Sequence, residues 1–278
     1  MGDLLANRDH YFKCLPVFLK YSDETVVECK WIKERLGQLL LTEIPEDKPI
    51  RIMSVGCGKG FKDTAILESL KGRTVEYTAI DPSKEQLEGF VENVIKDQRF
   101  AKVDFRALSV SCEDFLEQHP RETFDLIFFG HVMHLVEDRK KVIQNYRNML
   151  SATGVLVIVL FSKDADFHRA LSFLPNKSQL PADTEDILQE LGYSYTKETI
   201  PRHTDITLLF PPKENEGVLS TSEEGELLLD FLAVTCKFRE RFPVSTVDQF
   251  LKNIRQISQM VGKNTLLPTP SEAFLIRS

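Results

Sequence analysis

The sequence predicts an α/β fold, a mostly parallel sheet covered by helices on both faces. Three observations carry that expectation. Short apolar runs alternate with amphipathic stretches between residues 50 and 162, the first run breaks into the turn "GCGKG", and the second ends on an acid, Asp81. Strands alternating with helices need crossover connections, and these bury a parallel sheet on both sides.

The elements follow in order. "SDETVVECKWIKERLGQLLLTEI" places Val27, Trp31, Leu36, Leu39 and Leu40 at roughly helical spacing behind a Ser/Asp start, and "PEDKP" ends it. "IRIMSV" reads as a buried strand, and "DTAILESLKG" as a helix closed by Gly72. "TVEYTAI" is a second strand, "PSKEQLEGFVENVIKD" a second helix and "AKVDFRAL" a third strand. "FDLIFFG" is a strongly apolar fourth strand. "DRKKVIQNYRNML" is a helix, "SATG" a turn and "VLVIVLF" a fifth strand. Beyond residue 162 the pattern loosens. "TEDILQELG" is a helix, while "YSYTKETI", "DITLLF" and the final "EAFLIRS" are strands. Two helices, "EGELLLDFLAVTCKF" and "VSTVDQFLKNIRQISQMVG", lie between them.

Composition narrows the function classes. A hydrophobic share of 42% with 28% charged residues is that of an ordinary globular protein. The net charge of −7 argues against a surface built to neutralise nucleic-acid phosphates. Five scattered cysteines without a CxxC pair indicate neither a zinc ribbon nor a disulfide framework, and they fit a reducing compartment. The N-terminal "MGDLLANRDHYFK" lacks the basic flank and apolar core of a secretory signal, and no apolar run nears bilayer-spanning length. The expectation is a cytoplasmic protein with no nucleic-acid partner, no membrane partner and no metal.

The turn after the first strand of such a sheet is where nucleotides sit. Gly56, Gly58 and Gly60 stand at G-x-G-x-G spacing, one residue short of the G-x-G-x-x-G dinucleotide pattern. Glycine reaches positive φ and lets a ligand touch the peptide itself. A tight strand-to-helix turn is the plainer reading of the same residues. Asp81, 21 residues after Gly60, is where an acid accepts ribose hydroxyls, though an Asp before Pro82 also forms turns. Ser83 and Gln86 have capping-box spacing, so Gln86 suits a helix cap as well as a ligand contact.

A nicotinamide oxidoreductase and a methyltransferase share all of this and part downstream. "FDLIFFGHVMHLVED" followed by "NMLSATGVLVIVLF" resembles the Rossmann-like methyltransferases, in which an Asp opens strand four and a Gly turn leads into strand five. The chain shows no separate catalytic domain for hydride transfer. The whole sequence further resembles the histamine N-methyltransferase family. "YFKCLPVFLKYSDE", "IMSVGCGKG", "IDPSKEQ" and "GELLLDFLAVTCKF" match it in order and spacing.

The resemblance implies a class I αβα sandwich with a seven-stranded sheet and an antiparallel edge strand, S-adenosyl-L-methionine as cofactor, and a small amine or imidazole as substrate. It implies one domain over 1–278, with a substrate lid at 1–45, a cofactor-binding core at 46–210, and a helical insertion with the last strand at 211–278. A monomer is expected. Gly56, Gly58 and Gly60 would cradle the cofactor's methionine part, Asp81 its ribose with Gln86 nearby, and Ser109 or Ser111 its adenine. Gly130 and His131 would lie between cofactor and substrate. Glu24 matches the acid that grips the amine, and Tyr11, Phe18 and Phe238 match aromatic pocket positions.

Departures from the family pattern bear on the substrate. His131 stands where the family has Gln, and Pro270 replaces a substrate-contacting Asn. His134 and Leu135 replace a tyrosine pair, and two tryptophans after strand five are missing, Phe167 being the nearest aromatic. Glu24 and His131 are the candidate catalytic residues, with His134 able to share the face of His131. A methyltransferase with a different nitrogen or oxygen acceptor, and a methyltransferase-like binding protein without turnover, stay open beside the histamine-like reading.

Overall fold

The computed structural model describes residues 4–171, 173–174, 184–210 and 222–278. In chain order the strands are β1 (Ile50–Val55), β2 (Val75–Ile80), β3 (Asp104–Leu108), β4 (Phe124–Gly130) and β5 (Leu150–Phe161). They continue with β6 (Tyr195–Ile200), β7 (His203–Asp205), β8 (Gln259–Val261), β9 (Asn264–Pro268) and β10 (Ser271–Arg277). The helices begin with α1 (Arg8–Tyr21), α2 (Glu24–Trp31), α3 (Gly37–Glu43), α4 (Phe61–Ser69), α5 (Lys84–Phe90) and α6 (Cys112–Gln118). After them come α7 (Arg139–Asn148), α8 (Asp166–Ala170), α9 (Thr184–Glu190), α10 (Glu223–Leu232), α11 (Phe238–Arg241) and α12 (Val244–Gln256).

The chain divides into two compact units. One comprises Met1–Glu24, Ser162–Leu180 and Pro201–Pro270; the other comprises Thr25–Phe161, Pro181–Ile200 and Ser271–Ser278. Residues 211–221, where the expected insertion begins, lie outside the described residues.

The second unit holds a seven-stranded sheet in the order β3-β2-β1-β4-β5-β10-β6. Strands β1 to β5 pair in parallel, and β10 runs antiparallel to both β5 and β6. The period of two along each strand divides the core. Ile52, Leu126, Phe128 and Val157 face one cluster, while Met53, Ile127, Phe129 and Ile158 face the other. Because β1 lies between β2 and β4, chain crossovers leave it in opposite directions. The crevice at its C-terminal end is therefore the topological switch point where ligands of such sheets bind.

The other unit packs α1 against α10 and carries a three-stranded sheet in the order β7-β9-β8. Residues 8–21, unassigned from the sequence, form α1, with Tyr11, Cys14 and Phe18 on its buried stripe. The expected helix through "EGELLLDFLAVTCKF" ends at Leu232 instead. Buried Asp230 accepts the backbone N–H of Lys237 at 2.7 Å and of Phe238 at 2.8 Å, which turns the chain back, with Val234 and Lys237 left-handed. His10 Nε2 reaches the same carboxylate at 2.7 Å and fastens α1 to it.

Three further elements differ from expectation. The helix expected through "VSTVDQFLKNIRQISQMVG" ends at Gln256, and Gln259–Val261 form β8. "SATG" belongs to β5, which absorbs it through an irregular register between Phe124 and Leu126. "DITLLF" is not a strand, since β7 stops at Asp205, whose Oδ1 accepts from the N–H of Thr207 at 2.9 Å and starts a helical turn. Among the described residues no helix is long and apolar enough to cross a membrane.

Candidate active site

The glycine turn joins β1 to α4, and its three glycines do different work. All three have positive φ: 63° at Gly56, 54° at Gly58 and 81° at Gly60. A Cβ on Gly56 would lie 2.4 Å from Val132 Cγ2, and one on Gly60 would lie 2.3 Å from Val94 Cγ2 and 2.8 Å from Phe90 Cδ2. Those two glycines admit neighbouring side chains. At Gly58 the nearest atom would be Gln86 Oε1 at 3.8 Å, so this position alone opens onto space. The turn is fastened by its own backbone, with Gly56 and Cys57 N–H donating to Ile80 O at 2.8 and 3.1 Å.

Asp81 is buried at the end of β2 and braces the same turn. Its Oδ2 accepts from Gly58 N–H at 2.9 Å and its Oδ1 from Ser83 N–H at 2.8 Å. Ser83 caps α5 by accepting from Gln86 N–H, leaving the Gln86 side chain beside Gly58. An open glycine flanked by a carboxylate and an amide at the switch point fits a nucleoside with an amino-acid tail. Of the two adenine candidates, Ser111 is engaged in capping α6, accepting from Asp114 N–H at 3.0 Å, whereas Ser109 is exposed just past β3.

Beneath the turn lies a polar layer the sequence reading passed over. Asp63, in the first turn of α4, accepts from the Tyr77 hydroxyl at 2.8 Å, and burial raises its carboxyl above the ordinary range. Cys57, buried beside Asp63 and Asp81, has its thiol pushed up, first by desolvation and then by those two acids. It is a packing residue, not a nucleophile. Asp125, in the second position of β4, accepts from Arg51 N–H at 2.9 Å and from Ser151 Oγ at 2.6 Å, so its work is at the far end of the sheet.

At the switch-point end of β4, Gly130 leads into His131, which has φ 57°. A histidine in the left-handed region costs of order 1–3 kcal/mol. Its N–H donates to Val159 O at 2.8 Å. Its Nε2 lies 2.8 Å from Oε1 of Glu28, a buried residue of α2 that the sequence reading did not single out. Lys62 Nζ meets Glu28 Oε2 at 2.9 Å, and Ser271 Oγ donates to Oε1 at 2.6 Å. His134 follows in the helical turn Met133–Leu135 and is half-buried.

The other expected substrate residues belong to the first unit. Glu24 is buried, and its Oε2 lies 3.1 Å from NH1 of Arg202, whose side chain is fully buried. The Arg202 guanidinium also stands 5.7 Å over the ring of Phe18. Phe18 stacks on Phe231 at 4.2 Å and Tyr11 lies 6.0 Å from the same ring, so Phe231 joins two expected pocket residues. Phe238 packs with Phe242 and Phe250. No sequence signal marked Arg202. Glu28 had a faint one, since it sits one helical turn after Glu24, where two like charges on one face call for cations.

The methyltransferase domain family matches residues 53–156, which include the glycine turn, Asp81 and His131. Histamine N-methyltransferase A of Xenopus laevis is 25% identical over 274 residues, covering 92% of this chain and 90% of that protein. Histamine N-methyltransferase of Mus musculus is 23% identical over 282 residues, covering 95% and 92%. Among solved structures, the plantazolicin methyltransferase BpumL in complex with a monoazolic desmethylPZN analog and SAH superposes with a TM-score of 0.51 at 17% identity, over 96% of this chain and 89% of that one. The YcgJ protein of Bacillus subtilis gives a TM-score of 0.50 at 15% identity, over 87% and 97%. The fold is that of the S-adenosylmethionine-dependent methyltransferases. Within that class, the chain shows a family-level resemblance to the histamine N-methyltransferases over most of its length.

Proposed function

We propose that the protein transfers a methyl group from S-adenosyl-L-methionine to a nitrogen of a small amine or imidazole compound. The observation that carries the cofactor assignment is Gly58, open on its Cβ side between Asp81 and Gln86 at the switch point. Gly58 and Asp81 would hold the methionine part and the ribose, with Ser109 nearer the adenine than the capping Ser111. When bound, the cofactor supplies an electrophilic methyl for in-line displacement. The chain's own residues align the acceptor, exclude water and receive the proton that the acceptor nitrogen loses.

The acceptor reading rests on residues carried over from the family. Glu24, Tyr11 and Phe18 are assigned to substrate binding on that basis, as are His131 and His134, while the packing of Phe238 suits a wall behind such residues. The pairing of Glu24 with Arg202 bears on the form of the substrate. A carboxylate already neutralised by a buried guanidinium offers little net charge to an ammonium ion. It suits an acceptor that arrives uncharged, such as an imidazole or a free amine, and it keeps neutral nitrogen heterocycles and phenols in contention.

Incubation with S-adenosylmethionine and a panel of imidazoles, biogenic amines and phenols, read by mass for one added methyl, tests the proposal. Methylated imidazole or amine is the expected product. Methylation of phenols alone would move the protein to the oxygen acceptors. Cofactor binding with no product from any panel member would favour a binding protein without turnover.

A further inference from the structure

We propose that His10, Cys14 and Asp230 form a structural zinc site that staples α1 to the chain reversal after α10. The site is independent of methyl transfer, and it departs from the sequence expectation of a protein without metal.

Each of the three residues offers one donor atom, and these atoms all lie within 4.8 Å of one another. All three belong to the same compact unit. His10 and Cys14 stand four apart on α1, so their side chains share one face, the spacing helical metal sites use for paired ligands. Cys14 and Asp230 are buried, while the His10 side chain is 19% exposed and opens the cluster to solvent. The carboxylate is already set in place. Lys237 N–H donates to its Oδ2 at 2.7 Å and Phe238 N–H to its Oδ1 at 2.8 Å. Hydrogen bonds to a ligating carboxylate fix its orientation in this way. Cys236 belongs to the same apolar cluster as Cys14 and brings a second sulfur into the surroundings.

The donor set selects the ion. A thiol, an imidazole and a carboxylate together suit borderline-soft zinc, whereas magnesium and calcium take oxygen ligands. Zinc bonds of about 2.0–2.3 Å put tetrahedral donors about 3.3–3.8 Å apart. The cluster brackets that spacing, with His10 Nε2 and Asp230 Oδ2 at 2.7 Å and every donor pair inside 4.8 Å. Loading asks the His10 ring to part from Asp230 by about 1 Å or less. Nε2 gives up its hydrogen bond to the carboxylate and turns its lone pair to the ion, and the Cys14 thiol releases its proton to solvent. The bound ion then ties α1 to the reversal at Val234 and Lys237 more firmly than the His10–Asp230 hydrogen bond does.

The test is a cobalt(II) titration of the full chain, tag-free and stripped of metal, followed by absorbance. A thiolate-to-cobalt charge-transfer band is expected to saturate at a single equivalent and to vanish when zinc displaces the cobalt. Cys14→Ser is expected to lose the band, and His10→Gln to weaken cobalt binding by about tenfold or more. No charge-transfer band in the wild type at saturating cobalt overturns the proposal, as does an unchanged band in Cys14→Ser or unchanged affinity in His10→Gln. Asp230 is left in place because it holds the turn at Lys237 and Phe238. If either variant does not fold, X-ray absorption of the zinc-loaded wild type decides. A sulfur at about 2.3 Å with a nitrogen at about 2.0 Å supports the site, and a shell without sulfur removes it. Methyl transfer enters none of these readouts, so the proposed function can fail without touching them.

Discussion

Consider alanine placed at Gly60 and, separately, at Gly58. Both positions have positive φ, so either substitution carries the cost of a left-handed L-residue, about 1–2 kcal/mol. At Gly60 the new methyl would also lie 2.3 Å from Val94 Cγ2 and 2.8 Å from Phe90 Cδ2, both on fully buried side chains with nowhere to turn. Overpacking of that kind adds about 1–3 kcal/mol, for a total of about 2–5 kcal/mol. At Gly58 the nearest atom is Gln86 Oε1 at 3.8 Å, so nothing is added to the backbone cost.

Urea unfolding followed by circular dichroism should therefore rank Gly60→Ala well below Gly58→Ala in stability. Calorimetric titration with S-adenosylhomocysteine should show a different defect in Gly58→Ala. That variant should stay folded and lose affinity about tenfold or more, because its methyl projects into the space assigned to the cofactor. Unchanged binding in Gly58→Ala would mean that the cofactor does not lie against this peptide. Equal stability of the two variants would mean that the crowding around Gly60 is relieved at no cost.

Three other outcomes follow from the same structure. Arg202→Met removes a buried cation that faces Glu24 and should destabilise by about 3–5 kcal/mol, while Arg202→Met with Glu24→Gln should recover part of the loss in the same urea measurement. Burial raises the Asp63 pKa above its unfolded value of about 3.9, so the stability Asp63 confers is greatest below that pH and declines as pH rises through the native pKa. The stability gap between wild type and Asp63→Asn should accordingly narrow as pH rises above the unfolded value, and a constant gap would contradict this. Native-state alkylation with peptide mapping should label half-exposed Cys29 before Cys57 or Cys112, whose thiols burial holds protonated; first labelling at Cys57 would refute the packing role.

The parallel core was legible because its strands are buried on both faces and read as unbroken apolar runs, "FDLIFFG" and "VLVIVLF" above all. Elements governed by a single side chain were not. Asp205 turns the chain after β7 inside what reads as the strand "DITLLF", and Asp230 folds back the end of "GELLLDFLAVTCKF". At the site, Gly58 and Asp81 announced themselves through spacing, and the left-handed strain at His131 did not, since glycine was the residue expected to show it. Glu28 looks in sequence like a surface acid between Val27 and Cys29. Its importance exists only once α4, the end of β4 and β10 bring Lys62, His131 and Ser271 to one carboxylate.

Two features then point the same way, each from its own unit. An amide at position 131 can orient a substrate but cannot take its proton, whereas an imidazole can. In the other unit, Arg202 stands 3.1 Å from the acid at Glu24 that the proposed function assigns to substrate binding. Under that proposal, a base at position 131 and a guanidinium against Glu24 would suit an acceptor that arrives neutral. On the proposed reading, activity toward imidazoles and neutral heterocyclic nitrogens should exceed activity toward strongly basic amines at neutral pH. A preference for the most basic amines in the panel would count against both features having the meaning given to them.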